Sequence, residues 1–499
     1  MEDSNDFGSA ELPSEKLEKN VCYIKNIFKG DDTIDYRCIK NNSGKGTGFC
    51  LIYADGMVNN KLVNDDIVCP LMKCRFPEDI SSLMETLLQN VIFSDSIQRT
   101  AKIDDIIQAV EYGDTALLAE GCSDSLILNT KGYSTRSIEE PESERVLRGP
   151  REGFNESLLV NLSMLRRKLH TSDLKMQYRV FGRKTKTKAC VCYLGSVADK
   201  NVVDELGRRL DRIDIDGTLD TEYLAELICD GRHMMLDTVG STERPDVVAG
   251  KLLEGRIAIL LDGTPQAITL PYLFVESFQS DEDYYLNYVF ASIGRFLRIL
   301  SFVISTTLPG VYIALVTFHP EILPTPLFVS IIQSRQGVPF PTTIEMIIML
   351  IVFELLRESG TRMPGVMGQM LGIVGAIVIG NAAVEARIVS APIIIIMALA
   401  GITGMMNPKI KGFTILTRTV IIILSATLGM YGLLFGSVGL LIYLYNVTSF
   451  GVPVMQSVHI EKFQEIKDIV FRAPWNKMIK RPSKLTKNTT RQKQGGAGK

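Results

Sequence analysis

The chain is poor in the residues that carry most enzyme chemistry. Its four histidines are His170, His233, His319 and His459, and no two stand at metal-ligand spacing. HExxH and GxSxG are both absent, which excludes the common helical zinc site and the nucleophile elbow. "SGKGTGFCLIYADG" is glycine-rich but lacks the P-loop spacing, and Lys45 opens no helical pattern; it reads as a flexible loop feeding a strand. Asp211, Asp214 and Asp216 miss the EF-hand spacing and read as a solvated face or an intersubunit contact. No catalytic, cofactor-binding or metal-ligating residue is assigned.

Nine cysteines, an odd number with no CxxC pair, all precede residue 230. A zinc site or a disulfide framework is therefore not expected, and reduced, mostly buried thiols fit a reducing compartment. Cys190 and Cys192 sit at strand spacing on one face. Met1–Lys19 is acidic with no apolar core, so no signal peptide is read there and the first 280 or so residues are expected to be cytoplasmic.

What the chain has in quantity is uncharged apolar sequence in its second half. Charge-free runs cover Ile299–Pro320 (22 residues), Met363–Val384 (22), Ile388–Pro408 (21) and Thr419–Ile460 (42). A helix needs about 20 apolar residues to cross the hydrocarbon core. The fold expected is an α/β cytoplasmic N-terminal region of two small subdomains, followed by an all-α polytopic transmembrane domain. The divisions read are a disordered leader over 1–16, subdomains over 17–140 and 141–285, a membrane domain over 290–455 with four to six segments, and a basic cytoplasmic tail over 456–499. That tail holds 11 Lys+Arg against 3 Asp+Glu, and a basic flank after apolar spans marks the cytoplasmic side rather than a nucleic-acid site.

In the first half, Leu17, Val21, Ile24 and Phe28 make a helical stripe, as do Val202, Leu206, Leu210 and Ile213. "TALLAEG" and "DSLILNT" predict a hairpin, and "GRIAILLDGTPQAITLPY" another, turning at Asp262–Gly263. Asn155 is a plausible N-cap for the helix that follows it.

In the second half, Arg295 and Arg298 mark the cytoplasmic end of the first span, which Pro309–Gly310 should kink. Ile322–Ser334, 13 residues, is too short to cross and suits a re-entrant or interfacial helix. The Pro339, Phe340, Pro341 motif then opens a helix carrying Glu345 and Glu354. Nine residues apart, these carboxylates lie about 180° apart around a helix. Glu354, Arg357 and Glu358 can form a structural ion-pair cluster at spacings of three and four. Glu345 is assigned to the mouth of an ion pathway or, alternatively, to a helix-start charge. Gln369, Asn381 and Glu385 are further pathway or gating candidates, because polar groups inside spans are costly and usually functional. Gly368, Gly372 and Gly375 share a face for helix packing. Lys409, Lys411 and Arg418 are read at the cytoplasmic surface. Ile415–Asn446, 32 residues, would be about 48 Å as one helix, so a hairpin breaking at Gly429, Gly432 or Gly436 is favoured.

Motifs in order along the chain carry a resemblance: "RGPREGFNES", "RRLDRIDIDG", "TERPDVVAGKLLEGRIAILLDGTP", "EDYY", "ALVTFHPEILPT", "GVPFPTTIEM", "FELLRESG", "GQMLGIVGAIVIGNAAVEARIVS" and "SFGVPVM". Together, from about Leu17 to Met455, they resemble the A subunits of the GerA family of spore germination receptors. The resemblance implies a spore inner-membrane complex with a transporter-like B subunit and a C lipoprotein, responding to small nutrients such as amino acids or sugars. It further implies that A subunits oligomerise into a channel releasing monovalent cations, the germinant itself being bound by the B subunit. The other readings carried are an accessory germination protein of the same family and a stand-alone solute or lipid transporter. Inverted repeats would favour the transporter, and none is seen.

Overall fold

The computed structural model describes residues 12, 14–41, 47–74, 76, 83–94, 96–132, 144, 146, 148–231, 235–362, 378–455, 468–482, 485–486 and 488–491. The glycine-rich loop read at 42–46 lies outside them.

Two sheets occupy the first half. The first comprises β1 (Ile34–Lys40), β2 (Gly48–Ala54), β3 (Ile97–Thr100), β4 (Thr115–Ala119) and β5 (Ser125–Leu128), in the order β1-β2-β4-β5-β3. The second comprises β6 (Leu174–Phe181), β7 (Thr187–Leu194), β8 (Gly240–Thr242), β9 (Ile257–Leu261) and β10 (Ala267–Leu270), in the order β6-β7-β9-β10-β8. Every neighbouring pair is antiparallel. The two orders are the same when counted from each unit's first strand, so the region is one architecture used twice.

The side-chain alternation of β2 shows why both faces are apolar. Phe49 and Leu51 point to one face, where they meet Leu71, Leu83 and Leu87 of short helical turns. Cys50 and Ile52 point to the other, against α1 (Leu17–Ile27) and α2 (Ile103–Tyr112). In the second unit Cys190 and Cys192 share a face, as their spacing predicted, against α3 (Leu158–Lys168) and α6 (Pro245–Leu253). Val191 and Ile259 face α4 (Lys200–Leu210) and α5 (Thr221–Ile228). Each unit is a sheet between two helical layers. Both predicted hairpins are present, as β4–β5 and β9–β10.

The duplication reaches single hydrogen bonds. Asn20 Nδ2 donates to Ser14 O at 2.6 Å, and its Oδ1 accepts from Ser14 N. Asn161 does the same with Asn155, also at 2.6 Å for the donated bond. Leu17 N donates to Glu120, and Leu158 N to Asp262, both at 3.0 Å. Asn155 is thus not the N-cap; Ser157 occupies that position and Asn155 braces the turn before it.

Cys38 and Cys50, directly opposite on β1 and β2, form a disulfide. This corrects the expectation that every thiol is reduced. Strand pairing, which sequence spacing does not reveal, brings these two together.

The units are joined by a buried charge pair. Arg166 of α3 donates from Nη2 to Asp31 Oδ2 and to Thr33 Oγ1, both at 2.6 Å. Both charged side chains are almost wholly buried. Close by, Glu111 is buried with Oε1 lacking a hydrogen-bond partner. Burial pushes its carboxyl up to about 7; Arg166 opposes this and Asp31 adds to it.

The second half is helical: α7 (Tyr288–Thr317), α8 (Thr325–Ser334), α9 (Thr342–Arg362), a helix over 378–385, α10 (Ala391–Met405), α11 (Lys411–Leu428) and α12 (Met430–Asn446). Two of its helical segments, Tyr288–Thr317 and Pro408–Leu428, are long and apolar enough to cross a membrane. The long apolar run breaks at Gly429, with φ +62°. The arms pack back on each other: Gly432 lies against the Leu424 carbonyl, and Phe413 stacks on Tyr443. Residues 448–454 then return to the second sheet, where Ser449 Oγ donates to Thr238 O at 2.6 Å and Phe274 N to Val454 O at 3.1 Å.

Residues 12–285 expressed alone are expected to melt cooperatively. Arg166→Met leaves Asp31 buried without its partner and should cost about 3–5 kcal/mol. An unfolded glutamate titrates near ~4.3, so between that value and about 7 the folded form keeps a proton the unfolded form has lost. Stability should therefore fall as pH rises across that window and level off above it. Glu111→Gln should flatten the slope; thermal melts across the pH range check both.

Candidate functional site: buried charges in the helical layer

Pro309 sets the geometry at the centre of the layer. It lies inside α7, which runs on through it, and it has no N–H to give the carbonyl four residues back, that of Ser305. Arg418 of α11 supplies the missing donor: its Nε donates to Ser305 O at 2.9 Å and Nη2 to Ser305 Oγ at 2.8 Å. Ser305 Oγ in turn donates to Ala400 O of α10 at 2.8 Å. Arg418 is fully buried, contrary to its expected surface place. Lys409 and Lys411, which precede it, pair instead with Glu144 and Glu358.

The same arginine reaches a third helix. Its Nη1 has no hydrogen bond and stands 3.6 Å from Glu354 Oε1 of α9. Glu354 Oε2 is 3.7 Å from Arg357, while Glu358 turns to Lys411 at 3.9 Å. Of the three residues read as one cluster, Glu354 and Arg357 pair and Glu358 belongs to another bridge. The sequence signal for Arg418 was an arginine within an apolar helix; its partner Ser305 lies 113 residues earlier, so only the fold brings the two together.

Glu345 lies at the other end of α9 and is fully buried. Its Oε2 accepts from Ser390 N at 2.8 Å, at the start of α10, and its Oε1 from Arg335 Nη2 at 3.3 Å. An exposed carboxylate at a pathway mouth is not what this chain presents. The amide at a helix start and a guanidinium from the preceding loop satisfy the charge internally. Pro341 accepts backbone bonds from Ile344 and Glu345, setting the first turn, and Phe340 before it is part-exposed.

Asn381 and Glu385 are exposed on the 378–385 helix. Gln369, Gly368, Gly372 and Gly375 lie outside the described residues. Close helix approach occurs at other glycines. A Cβ at Gly310 would meet Ile421 at 2.7 Å and Ser425 Oγ at 2.8 Å; one at Gly404 would meet Ser305 Oγ at 2.9 Å.

A second charged node ties the layer to the α/β region. Arg295, fully buried in α7, donates from Nε to Asp283 at 2.9 Å and from Nη1 to Asp468 Oδ1 at 2.8 Å. Arg298 Nη2 joins Asp283 at 2.6 Å, and Tyr284 Oη donates to Asp468 at 2.8 Å. Burial raises the Asp468 carboxyl despite Arg295 beside it. The tail is thus folded onto the α/β region, and Arg481 also donates to Leu253 O at 2.6 Å.

A duplicated α/β region is joined to a helical layer braced by buried arginines, two of whose segments are long and apolar enough to cross a membrane. The family model of the "Bacillus/Clostridium GerA spore germination protein" matches residues 22–484, and the chain belongs to that family. The match runs past Met455 into the tail that sequence reading had set apart. The chain is 38% identical over 478 residues to spore germination protein KA of Bacillus subtilis, covering 95% of this chain and 88% of that one. It is 36% identical to spore germination protein B1 of the same organism, covering 94% and 97%. The solved N-terminal domain of the A subunit of the Bacillus megaterium germinant receptor GerK3 is 30% identical, covers 53% of this chain and 98% of that one, and has a TM-score of 0.42.

Arg418→Met should leave the Ser305 carbonyl without its donor and Glu354 with Arg357 alone, and lower the thermal stability of the detergent-purified protein by about 3–5 kcal/mol. Pro309→Ala in that background returns an N–H to the carbonyl and should recover about 1 kcal/mol. The same change in the parent chain should recover nothing, since Arg418 already fills the role.

Proposed function

We propose that this chain is the A-type membrane subunit of a nutrient-germinant receptor, whose helical layer takes part in releasing monovalent cations when a spore germinates. The observation that carries the reading is the buried Arg418 of α11 and its crossing to Glu354 of α9. Charges inside an apolar helical layer are costly and are kept where they work. Family membership supplies the germination context.

In this reading the chain is polytopic and sits in the spore inner membrane, with the α/β region on the cytoplasmic side. Two features support that arrangement. The chain enters the layer at α7 and leaves it after α12 beside the same sheet, which requires an even number of crossings. The basic tail lies on that side too.

Several copies assemble, together with a transporter-like B-type subunit and a C-type lipoprotein. Asn381 and Glu385, exposed on their helix, line the cation path between copies. Glu345, buried and paired, holds the entries of α9 and α10 together beside that path. A carboxylate repeated around an axis attracts cations without any catalytic group.

Glu385→Gln should slow potassium release from germinating spores while the protein and its complex remain at normal level. Potassium efflux and immunoblots of the membrane fraction check this. Normal efflux at normal protein level for both Glu385→Gln and Asn381→Ala would remove the path from this helix.

A further inference from the structure

The first helix of the layer is too long for the membrane alone. At 1.5 Å per residue the 30 residues of α7 span about 45 Å, against a hydrocarbon core of about 30 Å. The Arg295–Asp283 node fixes which end is in excess. The N-terminal turns are held at the α/β region, so Tyr288 to Phe296 stand at headgroup level.

Among the described residues nothing covers these turns. Phe290 is 71% exposed, and Tyr288, Val289, Ile293 and Phe296 are also exposed. The returning tail lies alongside them. Ser292 Oγ accepts from Arg472 N at 3.0 Å, and Arg472 Nη1 donates to Leu286 O at 2.7 Å. Between helix and tail runs an almost wholly apolar groove of about 570 Å³, walled by Val289, Ile293, Phe296, Phe471 and Pro474.

Beyond the groove the chemistry changes. Trp475 projects half-exposed, its ring flanked by Tyr284, Arg472 and Arg491. Lys477 and Lys480 follow, both exposed, with no carboxylate partner among the described residues. An apolar slot, aromatic rings and two uncompensated ammonium groups lie in sequence next to a spanning helix. Tyrosine and tryptophan favour the interface, and each lysine near an anionic leaflet adds attraction.

We propose that the folded-back tail and the first turns of α7 form a binding site for anionic phospholipid, one acyl chain in the groove and the headgroup on Lys477 and Lys480. This rests on α7 spanning the membrane. Charge complementarity and continuity with the span favour a lipid over a second protein on this surface. The tail, held to Arg295 through Asp468, thereby reports the charge of the leaflet to the first span.

Trp475 is the single tryptophan of the chain and reads the site directly. The full chain is reconstituted into phosphatidylcholine vesicles, with and without about 30 mol% phosphatidylglycerol. Tryptophan emission is followed, with lipids brominated near the headgroup end of the acyl chain as quenchers. Phosphatidylglycerol should shift the emission to the blue and increase quenching, and about 0.5 M salt should reverse both. Lys477→Glu with Lys480→Glu, two exposed positions that the fold does not need, should demand at least about fivefold more phosphatidylglycerol for the same shift. Phe471→Ser should reduce the quenching. Protein that inserts but gives the same emission and quenching in both vesicles overturns the site and leaves the spanning reading intact. Emission that follows protein density instead of lipid charge assigns the surface to a second copy and overturns the site. A chain that fails to insert overturns both.

Discussion

One unpaired carbonyl organises the helical half. Proline at position 309 deprives Ser305 of its helical partner, and a bare carbonyl in an apolar layer is costly. Arg418 relieves it. In doing so the arginine must itself be buried, and its spare N–H groups turn toward Glu354. The contact therefore fixes α7 against α11, seats α10 through Ser305 and Ala400, and draws α9 in through its carboxylate. Glycines at 310 and 404 leave the room that this approach needs. A backbone defect in one helix thus specifies the neighbours of that helix.

The α/β half works by a different logic. It is one topology used twice, each sheet apolar on both faces because helices cover both. The copies meet through a buried arginine and aspartate, and the second copy carries the link to the layer through Asp283 and Arg295. The tail closes the arrangement. Its Asp468 sits on the same arginine, so α/β region, α7 and C-terminal tail share one charged node. A change felt by any of the three has a short path to the others.

Sequence reading reached what local pattern encodes. Apolar runs located the helical half, short apolar runs beside glycine-bearing turns located β2, β7 and β9, and of the glycines at 429, 432 and 436 offered for the hairpin break the chain uses Gly429. It did not reach partnerships across distance. Arg418 looked like a surface charge because nothing near it in sequence names Ser305 as its partner. Glu345 looked exposed because Arg335 and the Ser390 amide reach it only after the chain has turned twice. The duplication was legible in principle: "SEKLEKN" and "NESLLVN" share glutamate, leucine and asparagine at the same offsets. It was hidden because most of each repeat has diverged while the hydrogen bonds of Asn20 and Asn161 persisted.

The central claim is that this GerA-family chain assembles so that the exposed polar face of the 378–385 helix lines a path between copies, while the arginine crossing stays closed within each copy. Electron cryo-microscopy of the complex isolated from dormant spore membranes tests it most directly. The account predicts Asn381 and Glu385 of neighbouring copies facing a common axis, with Arg418 still on the Ser305 carbonyl. A single copy per complex, or a 378–385 helix turned toward lipid, would contradict it.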